Sequence, residues 1–216
     1  MEVEKNSFGA DDFKKGLEAL DDEMGKDEWL FAFSPITLLS AGGFLAVSLF
    51  RNRESTEDLD YFIEPKWTHD DDIKGPLRSA MVRTARRLGF AEDWANDEMA
   101  LFVPDRSKQH LFEAAQKQNI VLWEGTNLRV LAVPLKWALE RKLRRIHDET
   151  QNSKRESDMD DSLALLKYLR AQNGGPLDME QIRTLNFFSV EMPPDHATMV
   201  TVAVAYRKKY NEDSFA

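Results

Sequence analysis

The chain contains no cysteine among its 216 residues. Disulfide frameworks and thiolate zinc sites are therefore excluded, and a reducing compartment is allowed. Histidine is scarce, and its four positions lack the spacing of a metal site: His69, His110, His147 and His196. The Gly-x-Ser-x-Gly elbow of many serine hydrolases is also missing. The sequence thus argues against these zinc, disulfide and serine-nucleophile chemistries.

Long apolar runs and an excess of positive charge are missing as well. The apolar run over 35–50 is too short and too interrupted by glycine to span a membrane, and the acidic N-terminus is unlike a signal peptide. We therefore predict a cytoplasmic protein with no membrane association. The formal net charge of -9 argues against broad binding to nucleic acid, because such binding requires the neutralisation of many phosphates.

The apolar pattern divides the chain into three parts. Residues 1–34 have Phe13, Leu17 and Leu20 at helical spacing and predict a peripheral N-terminal helix. Residues 35–133 predict a mixed α/β core, and residues 134–216 predict a C-terminal helical region. The predicted strands are 36–39, 58–63, 99–103, 120–123 and 128–133. The predicted helices are 44–50, 76–88, 107–118, 135–146, 159–169, 178–185 and 194–210.

The strongest functional signal is the sequence Asp58-Leu59-Asp60 at the start of a predicted strand. Side chains alternate between the faces of a strand, so both carboxylates point to one face, about 7 Å apart. Such a pair is suited to share a hard cation such as Mg²⁺, which also bridges substrate phosphates. The alternative is that both aspartates are merely solvated where the strand begins.

A glycine pair, Gly42-Gly43, lies between the strand over 36–39 and the apolar segment over 44–50. Because neither residue has a Cβ, the backbone is free to turn sharply and to approach an anion closely. The N–H groups that begin the following helix would face the same place, and Ser40 adds a hydroxyl donor. This pattern predicts a phosphate-binding turn.

One segment is Ser40-Ala41-Gly42-Gly43, and a second runs from Arg53 through Ser55-Thr56 to Asp58-Leu59-Asp60. Together they resemble the nucleotidyltransferase superfamily, in particular its minimal nucleotidyltransferases and abortive-infection toxin-like group. The resemblance implies an α/β (α+β) fold with a nucleotidyltransferase-fold mixed sheet. It also implies Mg²⁺-dependent or Mn²⁺-dependent transfer of a nucleotidyl group from a nucleoside triphosphate to a hydroxyl acceptor, which is a protein, a tRNA or a small molecule. Asp58 and Asp60 would hold the metal, and Arg53 would orient its loop or contact a phosphate.

The C-terminal half carries a second part of this resemblance. Lys142 falls within the apolar stripe of the helix over 135–146, where a cation needs an anionic partner or a route to water. The toxin-like group has an inward lysine before an acidic helix start, and this implies that Lys142 contacts phosphate while Asp158 and Asp161 support the site. The alternatives are that Lys142 extends along apolar surface to reach water and that the two aspartates stabilise a helix N-terminus.

One expected element of this family is missing from the sequence. Active members use a third carboxylate on a later strand as a general base, and residues 128–133 contain none. Asp97, placed before the predicted strand over 99–103, is the best substitute, and Glu124 and Asp105 are weaker ones. Asn96 is expected to line the same cleft. The missing carboxylate also favours a rival interpretation, in which the chain is a non-catalytic nucleotide-binding or protein-interaction member of the same fold.

Overall fold

The computed structural model describes residues 4–148, 154–187 and 189–216, without the side chains of residues 102 and 106. The chain is a mixture of helices and strands that divides into two compact units, Met1–Val133 and Pro134–Ala216. The second unit begins at the residue where the sequence predicts the helical region to begin. No helix among the described residues is both long enough and apolar enough to cross a bilayer.

Unit 1 contains a five-stranded mixed sheet in the order β3-β2-β1-β5-β4. The strands are β1 (Ile36–Ser40), β2 (Leu59–Ile63), β3 (Ala95–Asn96), β4 (Val121–Glu124) and β5 (Leu128–Ala132). β1 is antiparallel to β2 and parallel to β5, whereas β3 runs parallel to β2 and β4 antiparallel to β5. The pairing of Ser40 with Tyr61 brings the end of β1 beside the middle of β2.

The helices of unit 1 are α1 (Ala10–Met24), α2 (Glu28–Ala32), α3 (Gly43–Leu45), α4 (Asp71–Leu88) and α5 (Asp105–Gln118). A π-helical segment, Ala46–Phe50, continues α3, and 3₁₀ turns cover Pro65–Trp67 and Glu98–Phe102. α4 begins five residues before the predicted start because the side chain of Asp70 accepts a hydrogen bond from the backbone N–H of Asp72, which is an N-cap.

Two predictions for unit 1 are wrong. The N-terminal helix is not peripheral, since Phe13, Leu17 and Leu20 of α1 are buried in the same hydrophobic core as Leu38 and Val130 of the sheet. The predicted strand over 99–103 is the 3₁₀ segment Glu98–Phe102. Met99 in this segment and Val103 directly after it are buried and four residues apart, and that spacing fits a helical turn as well as a strand.

Unit 2 consists of α6 (Leu135–His147), α7 (Arg155–Asn173), α8 (Met179–Arg183) and α9 (His196–Tyr210). α6 packs against α7 through a stripe of buried residues that includes Leu139, Leu143 and Ile146. The C-terminal residues return to this unit, because the N–H of Leu177 donates to Ser214 and the N–H of Ala216 donates to Leu177. This agrees with the predicted helical character of residues 134–216.

Candidate functional site

The turn after β1 has a backbone that only glycine adopts readily. Gly42 has φ +66° and ψ -139°, in the region that residues with a Cβ rarely enter. At Gly43 the constraint is steric, because a Cβ would lie 1.9 Å from the Oγ1 of Thr56. The predicted sharp turn is therefore present. The space beside Gly43, which the sequence assigns to an anion, holds the side chain of Thr56.

Asp60 lies directly against this turn. A Cβ on Gly42 would be 3.1 Å from Oδ2 of Asp60, so the carboxylate lies beside the glycine backbone. The hydroxyl of Ser40 donates a 2.7 Å hydrogen bond to the backbone carbonyl of Asp60. Ser40 thus joins β1 to β2 through its hydroxyl, and its predicted contact with a phosphate stays a prediction. The structure brings Ser40, Gly42 and Asp60 together, as the sequence suggested.

Asp58 and Asp60 share one face of the sheet, since the residues between and after them, Leu59 and Tyr61, point into the core on the other face. Both aspartates are half-buried. The side-chain amide of Asn96 donates a 2.8 Å hydrogen bond to Oδ2 of Asp58. Asn96 belongs to β3, where it pairs with Asp60. β3, which pairs with β2, therefore presents an amide to the aspartate pair.

Asp97 does not join this group. It lines a cavity with Tyr61 and Lys74, and its Oδ2 lies 3.7 Å from the Nζ of Lys74. Tyr61 is on the face of β2 opposite Asp60, so the carboxylate of Asp97 is on the wrong side to act as general base beside Asp58. The expected position of Asp97 depended on the predicted strand over 99–103, which does not form. Residues 95 and 96 pair with β2 instead, and the alternation of side chains directs Asn96 to the aspartates.

Thr56 is held in place by the N-terminal segment. The N–H of Phe8 donates to the carbonyl of Thr56 at 2.7 Å, and the N–H of Thr56 donates to the carbonyl of Phe8 at 3.0 Å. Phe8 is itself fully buried and its ring contacts Phe13 and Phe90. Arg53 lies half-buried in the same loop, and its predicted role stays a prediction. The loop that precedes β2 is thus held in place by the segment that precedes α1.

Two carboxylates are suitable ligands for a hard cation, since Mg²⁺ prefers oxygen and takes its remaining ligands from water and phosphate. Asp58 and Asp60 match this chemistry, and the glycine backbone leaves room for Oδ2 of Asp60. Among the described residues no group of three or more His, Cys, Asp or Glu side chains is arranged to hold a metal ion. A cation on this pair would therefore depend on ligands that the substrate brings.

In unit 2, Lys142 is the centre of a buried ion network. Its Nζ lies 3.1 Å from Oδ1 of Asp158 and 2.6 Å from Oδ2 of Asp161. Arg145 donates two hydrogen bonds of 2.8 Å to Asp158. Burial alone would raise the pKa of Asp158, but the hydrogen bonds from Arg145 and the charge of Lys142 outweigh it and lower that pKa. The inward lysine and the acidic pair are thus partners of one another, and the predicted phosphate contact stays a prediction.

Residues 39–213 match the protein family described as Domain of unknown function (DUF7582). The chain belongs to this family. No curated protein and no solved structure matches the chain. The DUF7582 match covers the glycine turn, Asp58, Asp60 and Asn96 in unit 1, together with the buried ion network of unit 2.

Sequence reasoning gave Thr56 no role of its own and placed Asn96 in the cleft without a partner. Thr56 is part of the quoted motif, and its position over Gly43 depends on a pairing with Phe8 that lies far away in sequence. Asn96 gives a weak signal because amides are common near turns, and only the pairing of β3 with β2 brings it to Asp58. Both contacts are long-range, and neither changes the local periodicity of the sequence.

Proposed function

We propose that unit 1 binds a nucleoside triphosphate together with Mg²⁺ or Mn²⁺ and transfers its nucleotidyl group to a hydroxyl acceptor, whose proton passes to water as pyrophosphate leaves. The observation that carries the proposal is the position of Oδ2 of Asp60 against the backbone of Gly42, with Asp58 on the same face of β2. A carboxylate pair next to a glycine turn suits a phosphate chain, because the metal joins two sets of anions that would otherwise repel.

Each part of the site has a role in this proposal. Asp58 and Asp60 hold the metal, which neutralises charge on the phosphates when it is bound. The backbone of Gly42 borders the phosphate chain, Gly43 makes room for Thr56, and Ser40 keeps Asp60 in position through its 2.7 Å hydrogen bond. Asn96 orients Asp58 by donating to its Oδ2. Positioning and electrostatics then contribute most of the rate.

The direct test is transfer of label from an α-labelled triphosphate to protein, RNA or metabolites in a cell extract. Wild-type chain with Mg²⁺ is expected to label an acceptor, and Asp58→Asn and Asp60→Asn are expected to abolish the labelling. Asp11→Asn is the matched control, since Asp11 is an exposed carboxylate in the first turn of α1. Equal labelling by wild type and Asp60→Asn would overturn the proposed role of the pair.

A second candidate is a non-catalytic protein that binds the same ligand. The contact between Asn96 and Asp58 favours it, because an amide cannot accept the proton of an attacking hydroxyl as a carboxylate does. This candidate predicts Mg²⁺-dependent triphosphate binding without labelling of any acceptor. Binding that persists through a broad acceptor screen with no transfer would select it.

A further inference from the structure

A cavity lies on the face of β2 that is opposite Asp60. Its volume is about 330 Å³, and its lining includes Tyr61 and Ile63 of β2, Leu77 of α4 and the charged residues Lys74, Arg78 and Asp97. This volume is at the lower end of the roughly 300–1,000 Å³ of small-molecule sites. The apolar members are buried and form the floor of the cavity.

The charged side chains that line this cavity form only weak ion pairs or none with carboxylates among the described residues. Lys74 and Arg78 are one turn apart on α4 and project from the same side of it. The 3.7 Å separation of Lys74 and Asp97 is longer than a hydrogen bond, and both side chains are well exposed, so this contact contributes little. Arg78 donates to the carbonyl of Ala95 at 3.1 Å, and it has no carboxylate partner among the residues that the structure describes.

The cavity is also open beside α4. A Cβ built on Gly75 would meet no atom within 4 Å. Tyr61 is 5% exposed, and its hydroxyl donates to the Sδ of Met81 at 3.4 Å, which is a weak acceptor. The cavity therefore combines two cations, one carboxylate, a phenol and an apolar floor around an open space.

We propose that this cavity binds a small zwitterion with an apolar remainder, in the chemical class of the α-amino acids. Lys74 and Arg78 would hold its carboxylate, Asp97 would accept hydrogen bonds from its ammonium group, and Ile63, Leu77 and the Tyr61 ring would contact its side chain. A zwitterion matches this set better than a simple anion, because an anion leaves Asp97 opposed to like charge.

The test is calorimetric titration of the full chain with L-leucine and L-phenylalanine, up to about 10 mM. We expect saturable binding, and we expect about tenfold or greater weakening for 3-methylbutylamine, which lacks the carboxylate, and for 4-methylpentanoate, which lacks the ammonium. Arg78→Met and Asp97→Asn should weaken binding of the amino acids to a similar extent. Arg86→Met is the control, because Arg86 lies on the same helix and pairs with Glu92 instead.

A further variant, Gly75→Leu, separates a loss of amino-acid binding from a loss of folding. No atom beyond the neighbouring residues lies within 4 Å of the added Cβ, so this variant is expected to keep a cooperative melting transition and to lose amino-acid binding. Asp58→Asn is expected to bind the amino acids normally, since Asp58 is on the other face of β2. Absence of binding to wild type, or equal affinity for 4-methylpentanoate and L-leucine, would overturn the proposal, as would full binding by Asp97→Asn.

Discussion

The side-chain amide of Asn96 donates a hydrogen bond of 2.8 Å to Oδ2 of Asp58. This contact orients one of the two carboxylates that the proposed reaction requires. The two proposed functions differ in whether a group beside Asp58 accepts a proton, and the amide of Asn96 does not.

Substitution of Asn96 tests this point directly. Asn96→Asp is expected to raise Mg²⁺-dependent label transfer by about tenfold or more, because a positioned general base contributes about 10²–10⁴-fold. Asn96→Ala should lower transfer by releasing Asp58. Gln116→Glu, which adds the same charge at an exposed position of α5, serves as the control. Transfer that is unchanged in both Asn96 variants would show that β3 has no part in the reaction.

The glycine turn makes a prediction about stability. Gly43→Ala is expected to destabilise the protein by about 1–3 kcal/mol, since the new Cβ would overlap Thr56 Oγ1 and force the loop to move. Gly75→Ala should cost less than Gly43→Ala, because no atom beyond the neighbouring residues lies within 4 Å of its Cβ and only the ring of Pro76 opposes it. Urea unfolding of both variants measures the difference. Thr56→Gly combined with Gly43→Ala should recover part of the loss, and a loss that is purely additive would argue against the contact.

Lys142 makes a prediction for unit 2. Lys142→Met would leave Asp158 and Asp161 buried without one of their cations, which typically costs about 3–5 kcal/mol. Lys136→Met, on the exposed side of the same helix, should cost less than about 0.5 kcal/mol. Chemical unfolding that reports on α6 and α7 compares the two variants. Equal stability of the two variants would show that the ion network contributes little to folding and that the ammonium of Lys142 lies outside it.

Asp158 also predicts a dependence on pH. Its pKa is lowered from the ordinary 3.8, so its ionised form is favoured by folding. Stability from this group is fully present above pH 3.8 and is lost as the pH falls through the lowered value. The stability difference between wild type and Asp158→Asn is therefore expected to be constant at neutral pH and to shrink in acid below pH 3.8. A difference that grows in acid would contradict the direction of this pKa shift.

Much of the fold followed from local patterns in the sequence. The apolar patterns of β1, β2 and β5 and the helical stripes of α5, α6 and α7 are properties of short segments. Their positions were predicted to within two residues, apart from α7, which extends four residues beyond the prediction at each end. The glycine turn and the aspartate pair were also visible locally.

What the sequence did not show depends on long-range pairing. β3 contains only Ala95 and Asn96, too few residues for a periodic pattern, so the prediction placed the strand a few residues too late. That error assigned the base to Asp97 and gave Asn96 no contact with Asp58, because a shift by one residue exchanges the two faces of a strand. Similarly, α1 was predicted to be peripheral because its many charges concealed a narrow buried stripe.

The measurement that tests the account most directly is the thermal midpoint with a nucleoside triphosphate, with and without Mg²⁺. At about one hundred times the dissociation constant, binding stabilises the native state by about 2.7 kcal/mol. For a chain of this length, that corresponds to a rise of roughly 5–10 °C. The account predicts this rise only when triphosphate and Mg²⁺ are both present, its loss in Asp60→Asn, and its retention in Asp11→Asn. An unchanged midpoint with all four triphosphates, with Mg²⁺ or without it, would contradict both the transferase and the nucleotide-binding proposals.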